Sequence, residues 1–196
     1  GLGALNLEPG TTLTLGPEMV VHGKSGIIQA NAFGTVKLIN QGRIAADVPG
    51  GVFNVALSQF ENQGHLIAGD GASVTLLERD TLNTGTIDIQ PGGTFTWNGS
   101  WTNQGTLRLN EGTLNLGGSF TLPRLGNVVR TGGTLNLNGT LELEGGTLAL
   151  NAATGFWRLD RGTLRNGTVT QSTDARLLFA PNAANTLDAL KVTGDL

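Results

Sequence analysis

The sequence predicts an all-β protein, a right-handed parallel β-helix in which three short strands make each coil of about 20–23 residues. The main observation is an Asn-x-Gly tripeptide that begins at Asn40, Asn62, Asn83 and Asn103, with spacings of 22, 21 and 20 residues. The composition agrees, because 31 of the 196 residues are glycine and only 14% are charged. Such a chain suits many short strands joined by tight turns. We therefore expect one β-solenoid domain over residues 1–196.

Each tripeptide is followed by a four-residue segment whose second and fourth residues are apolar, except for a few polar or small substitutes: RIAA, HLIA, TIDI and TLRL. Because side chains alternate along a strand, these residues point inward. A second segment has its own apolar pair, and a third brings Phe60, Trp101 and Phe120 to one level, with Thr81 as the polar exception. Strands this short need neighbours above and below to complete their backbone hydrogen bonds, so the coils must stack.

The repeat changes register near residues 121–131, where PRLGNVVR replaces the expected Asn-x-Gly turn. Three near-copies then follow: GTLNL, GTLEL and GTLAL. Further on, Leu190 and Val192 each lie 21 residues after Val169 and Gln171, which predicts one more coil with these pairs aligned. Neither end carries an evident cap over its strand edges. We therefore expect a segment of a longer rod, or rods that stack end to end.

The four repeated asparagines are predicted to be structural. Asparagine tolerates left-handed backbone geometry, and its amide can bond the turns above and below. An internal ladder of Asn40, Asn62, Asn83 and Asn103 is therefore expected. The alternative is that the same residues form a polar array for a ligand.

Candidate binding residues occupy equivalent outward positions on two adjacent coils. They are Thr86, Asp88, Thr106 and Arg108. A carboxylate beside an arginine also occurs in polysaccharide lyases of this fold, where further acidic residues hold calcium. The equivalent positions on earlier coils are Ala45 and Ile67, so no acidic cluster forms. We expect Asp88 and Arg108 to make a surface ion pair instead, and Glu142 and Arg165 to make another.

Aromatic side chains suggest a second type of site, because their rings can stack on sugars. Trp97, Trp101 and Trp157 fall at inward positions and are expected in the core. Phe156 is the aromatic residue of this group that is predicted to be exposed. It is therefore added to the candidate binding residues.

Other functions are disfavoured by composition. The net charge is −3, and no run of Lys or Arg suggests nucleic-acid binding or a membrane surface. No apolar stretch is long enough to insert into a membrane. There is no cysteine, and His22 and His65 lack partners at metal-ligand spacing. The sequence predicts no catalytic residue, no cofactor and no metal.

The repeats NQGTLRLNEGTLNLGG and TGGTLNLNGTLELEGGTLALNAATG resemble those of large bacterial exoproteins, the filamentous-haemagglutinin-like proteins and autotransporter passengers. The resemblance implies a secreted β-helical rod and an extracellular or bacterial cell-surface location, and it brings no catalytic residues. The expected function is a structural or adhesive segment of a surface rod or fibre, not an enzyme. Its expected partners are further copies, neighbouring segments of a longer chain, or surface glycans. The alternative is a β-helix protein that binds or cleaves polysaccharide.

Overall fold

Parallel strands stack in about nine coils, with three strands per coil, in a computed structural model that describes residues 3–77, 80–181 and 183–194. The predicted β-solenoid is thereby confirmed. Helix is confined to about 2% of the chain. One sheet, here called sheet A, contributes a strand to every coil from the first to the ninth.

The strands of the four sheets, A to D, are numbered along the chain. Sheet A contains β1 (Gly3–Leu7), β4 (Ser25–Ala30), β7 (Val52–Ala56), β10 (Ser73–Leu76), β13 (Thr94–Trp97), β16 (Thr113–Leu116), β19 (Thr134–Leu137), β22 (Trp157–Leu159) and β24 (Leu177–Phe179). Sheet B contains β2 (Thr12–Leu15), β5 (Lys37–Asn40), β8 (Gln59–Asn62), β11 (Asp80–Asn83) and β14 (Ser100–Asn103). Sheet C contains β3 (Val20–Gly23), β6 (Arg43–Ala46), β9 (His65–Ala68), β12 (Thr86–Ile89), β15 (Thr106–Leu109) and β18 (Asn127–Arg130). Sheet D contains β17 (Ser119–Thr121), β20 (Thr140–Glu142), β21 (Thr147–Ala149), β23 (Thr163–Thr170) and β25 (Thr186–Thr193), and the one short helix is α1 (Leu122–Leu125).

The predicted alignment of the early coils is confirmed residue by residue. In sheet C, Ile87 pairs with Leu66 on one side and with Leu107 on the other. In sheet A, Val74 pairs with Phe95. All five side chains are fully buried. The alternation of apolar and polar residues has therefore set both the register and the inward face.

Glycine in the Asn-x-Gly repeat is required by close approach of successive coils. A Cβ atom placed on Gly85 would overlap the carbonyl oxygen of Gly64, and one on Gly105 would overlap that of Gly85. None of these three glycines has a positive φ. The repeat therefore conserves space between turns, and it is not a signal for left-handed backbone.

Aromatic rings form the middle of the core, as the sequence predicts. Trp97 stacks on Trp101 with ring centroids 4.6 Å apart, and Trp101 lies 4.4 Å from Phe120. Phe95 meets Trp97 edge to face at 5.8 Å. Each of these side chains is at most 2% exposed, so none is available to stack on a sugar.

Thr81 interrupts this apolar layer. It pairs with Phe60 on one side and Trp101 on the other, it is 5% exposed, and its hydroxyl has no partner in the protein. Replacing Thr81 with valine, which has the same shape, is expected to raise the free energy of unfolding by about 1 kcal/mol because a buried unpaired hydroxyl is removed. Chemical denaturation measures the change. Thr81→Ser keeps the hydroxyl, so this control should not gain stability.

The register change lies where the sequence places it. Residues 122–125 form α1, and β18 follows it as the last strand of sheet C. One expectation for the final coil is wrong by two residues, because Val192 pairs with Val169 and Leu190 pairs with Gly167. The coil between them is longer than 21 residues, since Thr163 pairs with Thr186. The additional length lies in the segment that joins β23 to β25.

Candidate functional site

The four asparagines of the repeat form a continuous row inside the solenoid. The side-chain Nδ2 of Asn40 donates to Oδ1 of Asn62, Asn62 donates to Asn83, and Asn83 donates to Asn103, each over 2.7 Å. Each side chain is at most 2% exposed. At the far end, Asn103 donates to the carbonyl oxygen of Leu125 over 2.9 Å.

These asparagines do not occupy left-handed turn positions, which corrects the sequence-based reason for their presence. Each is the last residue of a sheet B strand and has a negative φ. Their amides also bond backbone carbonyls of the next coil, for example Asn62 to Thr86 over 3.1 Å. The row therefore joins neighbouring coils, and its burial leaves no surface for a ligand.

The predicted binding residues of sheet C lie in the expected register. Thr86 pairs with Thr106 and Asp88 pairs with Arg108. The ion pair expected between Asp88 and Arg108 is not formed; the Asp88 carboxylate instead accepts a hydrogen bond from Gln90 over 3.3 Å. Arg108 is exposed and can extend into solvent. The expectation failed because register places the backbones together but leaves a long side chain free to choose its rotamer.

The other predicted residues are placed on different surfaces. Glu142 and Arg165 do form an ion pair, with 2.7 Å between Oε2 and Nε. Phe156 is 40% exposed and precedes β22, so it is not near the sheet C residues. Its backbone carbonyl accepts a hydrogen bond from Arg130 over 2.7 Å. The structure therefore does not gather the predicted residues into one site.

A polar groove that the sequence did not reveal lies over sheet B. It crosses β8, β11 and β14, encloses about 280 Å³, and is bordered by Lys37, Glu61, Asp80, Ser100 and Arg124. Lys37 and Glu61 form an ion pair over 2.8 Å. The groove contains donors and acceptors of both charge signs at its surface. It is the best candidate site for an extended, hydroxyl-rich ligand.

The groove continues along the rod past Arg124. This arginine donates to Ser100 over 3.4 Å and also borders a second depression of about 390 Å³. The second depression contains Glu142, Glu144 and Arg165. We refer to the two depressions together as the lateral groove. Because acidic and basic side chains balance along it, an uncharged ligand fits better than a polyanion.

Both paired carboxyls of the lateral groove are stabilised in their ionised form. Hydrogen bonds from Lys37 and then Gln63 lower the pKa of Glu61 below its ordinary value. Hydrogen bonds from Asn166 and Arg165 lower the pKa of Glu142. A glycosidase needs one carboxylic acid whose pKa is raised so that it can donate a proton. The direction of both shifts favours binding over acid catalysis.

The pKa of Glu61 gives a direct test of this local electrostatics. A lowered folded-state pKa means that the ion pair contributes stability above the unfolded pKa, and that this contribution is lost as pH falls through the folded pKa. Replacing Lys37 with alanine is expected to move the Glu61 titration to higher pH. The carboxyl carbon shift in NMR measures it. Arg165→Ala, at the distant end of the groove, should leave Glu61 unchanged.

Neither a metal site nor a membrane helix occurs in the part of the chain that the structure describes. No three side chains of His, Cys, Asp or Glu come together there in a way that could hold an ion. Within residues 3–77, 80–181 and 183–194, no helix has the length and apolar character needed to cross a bilayer. The lateral groove therefore has to act through hydrogen bonds and ion pairs of its own side chains.

Arg130 has an organising role that nothing in the repeat announced. Its guanidinium donates to the carbonyl oxygens of Gly132, Gly133, Thr154 and Phe156 over 2.5–3.3 Å. Burial lowers the pKa of this guanidinium from its ordinary value. The four bonds join β18 to the loop after β21. No sequence signal identified them, because all the acceptors are backbone atoms.

No protein-family model, curated protein or solved structure matches this chain. The fold is therefore established by the strand pairing itself. The likeness of the repeats to those of bacterial exoproteins stays a prediction, and function has to be argued from the surfaces just described.

Proposed function

We propose that this chain is a structural or adhesive segment of a secreted bacterial surface rod or fibre. The observation that carries the proposal is the unbroken pairing of sheet A through nine successive coils. Each coil advances the rod by about 4.8 Å, so the stack sets a fixed distance along its axis. The buried asparagine row joins four of those coils side chain to side chain, which supports a mechanical role.

The partners in this proposal are neighbouring segments of a longer chain or further copies stacked end to end. Terminal strands of a sheet offer unpaired backbone groups that another coil can complete. The location is extracellular or at the bacterial cell surface, as the style of the repeats implies. The role needs no catalytic residue, cofactor, metal, nucleic acid or membrane insertion.

Immunogold electron microscopy of the producing cells tests the proposal, with an antibody against the folded chain. Gold particles along filaments or a surface layer are the expected result. Cells that lack the corresponding coding segment are the control for antibody specificity. Label confined to the medium or to the cell interior would overturn the rod function.

A second candidate function is glycan binding in the lateral groove, which would make the rod adhesive or, if bonds are broken, a polysaccharide-cleaving protein. The supporting observation is the balanced row of charged and hydroxyl groups, with Ser100 and Arg124 at its centre. Sugar hydroxyls donate and accept hydrogen bonds, so they can use both kinds of group. The two lowered carboxyl pKa values favour binding without cleavage.

Variants on the two faces of the rod separate the possible glycan sites. If the lateral groove binds, Ser100→Trp should block a saturable glycan signal on an array and Arg124→Ala should weaken it about tenfold. Asp88→Ala and Arg108→Ala change sheet C and should have no effect. The reverse pattern would favour the sheet C residues Thr86, Asp88, Thr106 and Arg108. Release of unsaturated sugars would indicate cleavage.

A further inference from the structure

The face formed by sheet C is interrupted between two successive coils. β18 pairs with β15 on one side, and β21 pairs with β23 on one side. β18 and β21 hold equivalent positions in consecutive coils, yet they belong to different sheets and are not paired with each other. Each therefore has one strand edge that faces the other across a gap.

The free edge of β18 can be identified from its neighbours. The amide of Thr131 donates back to Leu109 of β15 over 3.0 Å, and the carbonyl of Asn127 accepts from Asn103 on the same earlier coil. Alternate residues of a parallel strand bond to opposite neighbours, so residues 127, 129 and 131 face β15. The backbone groups of Val128 and Arg130 therefore face the gap.

The free edge of β21 follows from the same reasoning. Gly146 accepts from Thr168 over 2.9 Å, and Leu150 donates to Thr170 over 2.8 Å, so residues 146, 148 and 150 face β23. Thr147 and Ala149 face β18. The hydroxyl of Thr154 already bonds the Ala149 carbonyl over 2.8 Å. The Thr147 groups and the Ala149 amide are left facing the gap.

The space between the two edges has an apolar interior. It measures about 390 Å³ and is walled by Leu125, Val128, Leu148 and Trp157. Leu125, Leu148 and Trp157 are each 3–7% exposed, so the gap opens directly onto the core. At one end Arg130 crosses to the carbonyl of Thr154 over 3.0 Å and closes the gap.

We propose that this gap binds an extended segment of a partner protein as an inserted strand of the solenoid. Two facing rows of backbone donors and acceptors fit one strand, because a strand presents both groups to each side. The segment would make the sheet C ladder continuous from β15 through β18 to β21 and β23. Its inward side chains would be apolar and medium-sized, as in the native TLRL and TLNL strands, to fill the space beside Leu148 and Trp157. This inference does not depend on the proposed rod function.

A capped, fluorescently labelled peptide with the sequence of residues 103–112, NQGTLRLNEG, is a suitable probe, since it contains β15, the native neighbour of β18. Saturable binding to the intact protein is expected by fluorescence anisotropy. The matched control is the same peptide with methylated amides at Leu107 and Leu109, which keeps both side chains but removes two backbone donors. We expect the control to bind at least tenfold more weakly.

Variants of Thr147 show whether the peptide binds in the gap or at an end of the rod. Thr147→Pro removes a backbone amide that faces the gap, at a strand edge where proline is tolerated, whereas Thr147→Ala keeps this amide. Circular dichroism should show both variants folded. Peptide affinity should fall at least tenfold in Thr147→Pro and stay within twofold in Thr147→Ala. Equal affinity in both variants would place binding elsewhere and overturn the proposal.

Hydrogen exchange of the unmodified protein provides a test that does not rely on any variant. The amides of Val128, Arg130 and Thr147 should exchange rapidly in the free protein and at least tenfold more slowly with the peptide bound. Slow exchange without peptide would mean that the gap closes on itself, and this would overturn the proposal. Equally tight binding of the methylated peptide would also overturn it, because the gap would then capture apolar groups without adding a strand.

Discussion

Replacing Leu107 with aspartate is expected to abolish folding. The Leu107 side chain is fully buried and pairs in register with Ile87 and Val128 on the neighbouring coils. A carboxylate at this position would have no partner in the core, and its burial costs about 4 kcal/mol or more. Natural domains have about 5–15 kcal/mol of stability in total. Loss of the far-ultraviolet β signal in circular dichroism is the expected readout.

The adjacent residue provides the control for this experiment. Arg108 lies on the same strand but is exposed, so Arg108→Ala should change the free energy of unfolding by less than about 0.5 kcal/mol. If Leu107→Asp folded normally, the inward face of β15 would be assigned incorrectly.

Replacing Asn83 with leucine is expected to lower the free energy of unfolding by about 3 kcal/mol. The change leaves Nδ2 of Asn62 and Oδ1 of Asn103 without their side-chain partners. Each buried group that loses its hydrogen bond costs about 1–3 kcal/mol. Bonds in a row also polarise one another, so the loss exceeds that of an isolated bond. Denaturant unfolding with an unchanged m-value measures the difference.

An exposed amide pair offers a matched comparison. Gln41 donates to Gln63 over 3.0 Å at the surface of the same two coils that Asn40 and Asn62 join inside. Gln63→Ala should cost less than about 0.5 kcal/mol because water replaces the lost bond. A similar loss for Gln63→Ala and Asn83→Leu would show that burial of the asparagines adds nothing.

The repeating part of the fold was predictable because two physical constraints act on every coil. Alternation decides which side chains point inward, and steric exclusion between turns requires glycine at positions such as Gly64 and Gly85. Together they specify the pairing of Ile87 with Leu107. The final coil was misaligned because a longer connection shifts register without any change in the strand pattern of Val192.

The surfaces were harder to predict, since they combine residues that share no motif. Lys37, Asp80 and Ser100 come from three different coils and become neighbours only through the register of their strands. Arg130 binds backbone carbonyls, which carry no sequence signature. Asp88 and Arg108 show the opposite case, because their correct pairing in the sheet did not produce the expected contact of side chains.

The asparagine row gives the rod an electrical direction. Every amide in it donates toward the later coil, so the individual dipoles add up instead of cancelling. The row starts at the Asn40 carbonyl oxygen, which is buried without a partner, beside Leu15 of the preceding coil. An asparagine in place of Leu15 could lengthen the row by donating to that oxygen. Growth by such rungs is vectorial: it accepts a new donor at one end only.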